Sequence, residues 1–220
     1  MDDASGQEIT KRTYDDPAFA RAFLAKNGTP HGSDPIPAHV LDFAKRMTGN
    51  RLIDVGCGPG IDARRFASLG LQVTGIDYSA AMIEAAKRES LPGNPTYLQL
   101  DMRQIGAAFE ENSFDSAWIS ASLIHVPESD VSQVLSGVHR ILVSNGQFRI
   151  SLKAGKQGAQ LVHDDKYGIE IDREFIFWQR ENFEPLLQSA GFEVLGAEVA
   201  EGGVTGSEPT VWLRFTGRSL

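Results

Sequence analysis

A chain of 220 residues, 41% hydrophobic and 23% charged, can bury one α/β core but is too short for two full domains. Its formal net charge of −8 disfavours a polyanionic partner, because phosphate contacts need clustered Lys and Arg, so no nucleic acid is expected. No apolar run approaches the roughly 18 residues of a membrane span, the acidic start MDDASGQEIT is unlike a signal peptide, and the single cysteine, Cys57, excludes an internal disulfide and a zinc–thiolate cluster. These features predict a cytoplasmic protein with no membrane partner; the sequence does not distinguish a monomer from a homodimer.

In chain order, residues 1–12 read as a loose polar start. Thr13 to Lys26 places Tyr14, Phe19, Phe23 and Leu24 at helical spacing. The Pro- and Gly-rich stretch from Gly28 to Pro37 predicts a loop, and Ala38 to Met47 a second helix. Residues 1–48 are thus expected to form an N-terminal helical cap, and residues 49–220 the main domain.

From Arg51 onward, short apolar runs alternate with helical stretches, the pattern of repeated βαβ units around a mainly parallel sheet. Strands are predicted at Arg51–Val55, Gln72–Asp77, Thr96–Leu100, Phe114–Ser120 and Gly146–Leu152. Helices are predicted at Ile61–Leu69, Ala80–Glu89, Glu128–Leu142 and Arg180–Ala190, with Asn145-Gly146 turning the chain into the fifth strand. Phe192–Val199 and Thr210–Phe215, joined by a Gly-rich stretch, read as a terminal hairpin whose last strand is antiparallel.

The strongest chemical signal is LIDVGCGPGIDARRF, in which an apolar strand enters Gly56-Cys57-Gly58-Pro59-Gly60 and then a helix. Glycines here let the backbone turn tightly and let a ligand approach beside free helical N–H groups. A dinucleotide fingerprint GxGxxG would need glycine at position 61, which is Ile61; the variant is GxGxG. A pyrophosphate suits open amides alone, whereas a methionine-like ligand needs donors and acceptors together, and Asp54 is placed to supply an acceptor. Cys57 lies inside this turn without an evident partner and is expected only to pack.

Asp77 ends the second strand, near the roughly 20-residue offset at which a Rossmann layout sets an acidic group against the two ribose hydroxyls. The alternative role of helix cap is already served by Ser79. Asp101 ends the third strand in YLQLDMRQI, where it can accept from an exocyclic adenine amine while Met102 packs on the ring.

With the run FDSAWISASLIHVP and the later ILVSNGQFRISLK, these motifs resemble the class I S-adenosylmethionine-dependent methyltransferases, especially the bacterial small-molecule type, from Arg51 to about Val199. The resemblance implies a Rossmann-like α/β fold with a seven-stranded, mainly parallel sheet, an antiparallel last strand and helices on both faces. It implies S-adenosyl-L-methionine as cofactor. Asp77, flanked by Tyr78 and Met82, would hold the ribose; Asp101 and Met102 the adenine; Ser120, with the turn from Asp54 through Gly56, Cys57 and Gly58 to Gly60, the methionine end. Asn145 stands where the family more often has glycine, and Asn tolerates the left-handed backbone.

On the acceptor side, His125 after the fourth strand is a candidate general base, with an ordinary structural histidine as the alternative. The segment from Leu152 to Leu187 resembles the region where a loop after the fifth strand covers the acceptor. Tyr167, Phe175, Phe177 and Trp178, with Tyr14 and Phe19, are candidates to line an apolar acceptor pocket, and Tyr14, Phe19, Tyr167 and Trp178 are taken as substrate-binding. The expected function is methyl transfer to a small-molecule acceptor. A non-methylating enzyme that consumes the same cofactor, or a non-catalytic binding protein, would share these motifs.

Overall fold

In the computed structural model, residues 5–28, 36–205 and 208–220 are described. The apolar runs become β1 (Arg51–Val55), β2 (Gln72–Asp77), β3 (Thr96–Gln99), β4 (Phe114–Ser120) and β5 (Leu142–Ala154), paired in parallel in the order β3-β2-β1-β4-β5. Strands covered on both faces require continuous apolar runs, and Leu52, Ile53 and Val55 of β1 are all fully buried. The crossovers carry α4 (Ile61–Ser68), α5 (Ala80–Arg88), the short α6 (Ile105–Ala108) and α7 (Glu128–Ile141). In α7, Val131, Val134, Leu135, Val138 and Ile141 are buried along one stripe, each worth about 1.5–3 kcal/mol of apolar burial. Asn145 adopts a φ of 63°, the left-handed conformation expected of it, at an irregularity in β5.

The sheet has nine strands among the described residues, two more than expected. After α8 (Arg180–Ser189), β8 (Phe192–Thr205) and β9 (Glu208–Ser219) form the terminal hairpin, and β9 lies antiparallel to β5 as anticipated. Residues 206 and 207 of its turn lie outside the described residues. The additional strands are β6 (Gly158–Asp164) and β7 (Ile171–Trp178), an antiparallel hairpin in the segment expected to be a covering loop. Lys153 of β5 faces Trp212 of β9 on one edge and Phe177 of β7 on the other. The hairpin therefore takes the edge of β5 beyond the end of β4 and extends the sheet past the carboxyl ends of the parallel strands.

The N-terminal segment is more ordered than the polar composition suggested. Ser5 accepts from the Glu8 N–H and starts α1 (Gly6–Asp15); Asp16 accepts from Ala18 N at 2.7 Å and starts α2 (Pro17–Asn27). The single helix expected over Thr13–Lys26 is thus broken at Asp16-Pro17, a capping residue followed by proline at the first helical position. The predicted loop from Gly28 to Pro37 falls largely on residues 29–35, outside the described residues. The three helices divide. α1 and α2 pack on β7 and α5, whereas α3 (Ala38–Arg46) sets Phe43 against Phe66 and Trp118 on another part of the sheet.

Candidate functional site

Strand order reverses between β1 and β4, and in open α/β sheets the crevice beyond the carboxyl ends at such a point receives the ligand. Here that crevice is a cavity of about 1170 Å³. Single small-molecule pockets run to roughly 300–1,000 Å³, so it has room for two small molecules side by side.

The three glycines of the turn after β1 all have positive φ, from 52° to 77°, but for different ends. A Cβ on Gly56 would lie 2.2 Å from the Cβ of Ser122, and one on Gly60 2.4 Å from the Tyr97 hydroxyl. A Cβ on Gly58 would meet nothing within 4 Å. Gly56 and Gly60 are therefore small because protein packs against them, and Gly58 is the edge left open to a ligand. Gly60 does not reach the cavity wall; it packs on Tyr97 and begins α4. Cys57 reaches the wall but is buried, which pushes its thiol well above the ordinary range, and it packs beside Gly75.

Asp54 is buried at the end of β1, and its Oδ2 has no hydrogen-bond partner among the described residues. Burial first, then the nearby Asp62 and Asp77 carboxylates, hold its pKa well above the usual range. Asp77 closes β2 onto the glycine turn: Oδ2 accepts from Gly58 N and Oδ1 from Ser79 N, each at 2.9 Å. Burial raises its pKa to about 6 against those two hydrogen bonds. Ser79 caps α5, accepting from Met82 N at 3.1 Å, so Asp77 is not that helix's cap. Each Asp77 oxygen keeps a lone pair for a further donor.

Tyr78, Met82, Met102 and Ser120 line the same cavity. So does Asp101, gripped by the Arg103 guanidinium at 3.0 Å from Nε to both oxygens. Burial raises the Asp101 pKa, but the Arg103 hydrogen bonds outweigh it and the carboxyl is held below its ordinary value. The cavity floor is fixed by Ser122, whose hydroxyl donates to Val55 O at 2.6 Å, next to Ala121 at a φ of 54°.

On the far side of the cavity, His125 and Tyr14 come together although 111 positions apart. His125 Nδ1 lies 2.8 Å from the Glu174 carbonyl, which can only accept, so Nδ1 carries the proton and Nε2 is an acceptor. Tyr14 Oη, 2.9 Å from Nε2, is its donor. Burial lowers the His125 pKa to about 3, and the imidazole is neutral. Tyr167 also lines the wall. Phe19 and Trp178, expected beside them, do not: Phe19 is fully buried among Tyr14, Phe23 and Tyr167, and Trp178 is 2% exposed against Phe183 in the main core. Both are packing residues behind the wall. Phe175 lines the cavity, and Phe177 packs against the core.

Residues 53–150 match a family described as a methyltransferase domain. This match, with the curated relatives, supports a class I S-adenosylmethionine-dependent methyltransferase domain over those residues. Among curated proteins, a ubiquinone biosynthesis O-methyltransferase from Paraburkholderia phymatum is 34% identical over 118 residues, covering 53% of this chain and 50% of that protein. The chain thus spans about half the length of the curated relatives it matches. Among solved structures, an S-adenosylmethionine-dependent methyltransferase of Methanosarcina mazei superposes with a TM-score of 0.72 at 20% identity, over 85% of this chain and 99% of that one. A phosphoethanolamine N-methyltransferase of Haemonchus contortus gives 0.70 at 20% identity, over 98% of this chain and 60% of that one. At these identities the superpositions show the methyltransferase fold. No helix among the described residues is long and apolar enough to cross a membrane.

Two residues lining the cavity escaped the sequence reading. Lys153 ends the apolar run of β5, and Arg173 takes an inward position between Ile171 and Phe175 in β7. A lone cation at the end of an apolar strand was the available signal for Lys153. Arg173 offered none, because its partner Asp164 sits on a strand that the sequence did not reveal.

Proposed function

We propose that this protein transfers the methyl group of S-adenosylmethionine to a small-molecule acceptor held between α1, β7 and β9. The observation that carries the reading is the unpartnered, buried Oδ2 of Asp54 beside the Asp62 and Asp77 carboxylates. Asp62 already has Arg65 at 2.8 Å, but the buried Asp54 oxygen has no donor among the described residues, and a desolvated carboxyl in this acidic surrounding calls for a cationic hydrogen-bond donor. The ammonium group of a methionine-like ligand meets that demand, and the dianionic pyrophosphate of a nicotinamide dinucleotide opposes it.

The fit extends along the cavity. Asp54 would take the ammonium group, the open edge at Gly58 would admit the methionine chain, Asp77 would accept from the ribose hydroxyls, and Asp101 with Met102 would meet the adenine. When bound, S-adenosylmethionine supplies a methyl group already activated on a sulfonium sulfur. What remains for the protein is to align a nucleophile and exclude water, an ordering effect worth about 7–11 kcal/mol in well-oriented systems.

Tyr14 and His125 serve that end. With its own proton committed to His125 Nε2 and one lone pair facing Arg173 Nη1 at 3.4 Å, the Tyr14 oxygen would offer its remaining lone pair to an acceptor O–H or N–H. As the nucleophile reacts, its proton can pass to Tyr14 while the phenol proton passes to His125. The low basicity of the buried His125 makes it a transient holder of that proton and chiefly an orienting group for Tyr14. A monomer or homodimer working in the cytoplasm, without nucleic acid, fits the acidic composition and the buried thiol of Cys57.

Incubating the protein with methyl-labelled S-adenosylmethionine and a soluble metabolite extract tests the proposal. Protein-dependent transfer of label to a small molecule, with matching release of S-adenosylhomocysteine, is expected. Cofactor consumption without label transfer would instead favour a non-methylating enzyme.

A further inference from the structure

The deep charges of the cavity divide. Asp54 and Asp77 lie on β1 and β2, with Asp62 and Asp101 on that side paired to Arg65 and Arg103, whereas Lys153, Lys166 and Arg173 stand on β5, the turn between β6 and β7, and β7. Glu8, Lys11, Asp15 and Lys26 of α1 and α2 also border the cavity. In a chain of net charge −8 this cationic half is not a reflection of composition. Asp164 is the carboxylate placed against it, and that group is already shared by Arg173 at 2.9 Å and Lys166 at 3.2 Å.

Lys153 and Arg173 are the deep members of the set, 4% and 3% exposed. They flank one aromatic ring: Lys153 Nζ lies 4.5 Å and Arg173 Cζ 5.0 Å from the Phe175 centroid. Lys153 Nζ also lies 5.0 Å from the Trp212 ring, and its hydrogen-bond partner is the Thr205 hydroxyl, itself bonded to Thr210 at 2.6 Å. No carboxylate is within ion-pair distance of Lys153 among the described residues. Arg173 Nε is buried without a hydrogen-bond partner among them. Arg173 spends Nη2 on Asp164 and Nη1 on the Tyr14 hydroxyl at 3.4 Å, which leaves its Nε unmet, and the single Asp164 carboxylate serves Arg173 and Lys166 but not Lys153. Three cations around one carboxylate, two of them desolvated beside flat apolar surface, form a built receptor short of negative charge.

We infer that the methyl acceptor is an anion, a planar or apolar body bearing a carboxylate or phosphate group that docks between Lys153 and Arg173 with its body on Phe175 and Trp212. This rests on the methyltransferase reading only for the word acceptor; the anion subsite stands on its own geometry. Lys153 is a specificity residue in this account, and its protonation controls docking. Burial first, then Lys166 and Arg173, lower its pKa to about 7, while Asp164 works the other way. His125 stays neutral and does not compete for the anion. A docked anion must raise the Lys153 pKa, because it binds the ammonium form better than the amine.

The test uses the full chain labelled with 13C at lysine Cε, with and without saturating S-adenosylhomocysteine, titrated with benzoate, phenyl phosphate, benzyl alcohol and benzylamine. Benzoate or phenyl phosphate should bind saturably at pH 6.5 and weaken at pH 8.5. It should raise the Lys153 titration midpoint by a pH unit or more, and bind at least tenfold more tightly than either uncharged or cationic probe. Lys153→Met should abolish anion binding while keeping the thermal shift with S-adenosylhomocysteine, which reports that the variant is folded. Equal binding of benzyl alcohol or benzylamine, unaltered anion affinity in Lys153→Met, or no saturable binding of either anion would overturn the inference. Anion binding in a protein that ignores S-adenosylhomocysteine would instead overturn the cofactor reading and leave the anion subsite standing.

Discussion

The Tyr14 hydroxyl donates to His125 Nε2 across 2.9 Å, joining α1 to the turn after β4 on the side of the cavity away from the glycine turn. The backbone carbonyl of Glu174 fixes the opposite ring nitrogen at 2.8 Å. Neither residue alone presents a correctly directed oxygen lone pair; the pair does.

Replacing Tyr14 by Phe should therefore cost turnover far more than cofactor binding. A positioned proton-handling group typically contributes 10²–10⁴-fold, and a fall of about 10²-fold in kcat is expected, with the affinity for S-adenosylhomocysteine within about twofold of wild type. His125→Ala should resemble it, since Tyr14 then loses its orienting acceptor. Single-turnover rates beside calorimetric affinities separate the two effects; equal losses in both would place the pair in cofactor binding.

The glycines of the turn after β1 should part company on substitution. Gly56→Ala forces a Cβ to 2.2 Å from that of Ser122 in a left-handed backbone, and should yield a protein that is unfolded or destabilised by several kcal/mol. Gly58→Ala meets open space, so it should cost only about 1–2 kcal/mol for its backbone while blocking the ligand edge. Thermal melts with and without S-adenosylhomocysteine check this: Gly58→Ala should melt cooperatively and show no ligand shift.

The raised pKa of Asp77 gives a pH signature. Only the carboxylate accepts strongly at both oxygens, and the acid would turn one of them into a donor, so binding of the two ribose hydroxyls favours the ionised form. With a pKa of about 6 in the free protein, affinity for S-adenosylhomocysteine should be near its plateau at pH 7.5 and fall up to tenfold per unit below pH 6. For stability the sign is opposite. A carboxyl whose pKa is raised by folding contributes stability fully present below its unfolded pKa near 3.9 and lost as pH rises through about 6. Titration calorimetry between pH 5 and 7.5 reads the first effect, and a pH-independent affinity would contradict it.

Phe19 and Trp178 illustrate why the aromatic wall of the cavity was harder to read than the glycine turn. Both carry the aromatic character expected of a pocket, yet side-chain type does not tell which face of a helix or strand points inward until the neighbouring elements are known. Each to Ala should cost about 3–5 kcal/mol, lowering the melting midpoint by roughly 2–4 °C per kcal/mol, beyond any change in acceptor affinity.

The parallel strands were legible because burial on both faces demands unbroken apolar runs, and the glycine turn because few other tasks require that spacing. Hairpin β6–β7 was not. Its inward positions include Asp164 and Arg173, 5% and 3% exposed, whose buried ion pair breaks the apolar alternation that marks a strand. The start of α1 was hidden likewise: GQEITKRTYD is polar almost throughout, and its order comes from contacts with β7, where Glu174 N donates to Thr10 Oγ1 at 2.7 Å. Residues distant in sequence supplied what local pattern could not.

The central claim, a cavity built for S-adenosylmethionine and anchored by Asp77, meets its most direct test in calorimetric titration of wild type and Asp77→Ala with S-adenosylmethionine, S-adenosylhomocysteine and NAD. Saturable binding of both S-adenosyl ligands, no binding of NAD, and at least a hundredfold weaker binding in Asp77→Ala is the predicted result. Undiminished affinity in Asp77→Ala, or binding of NAD alone, would contradict it.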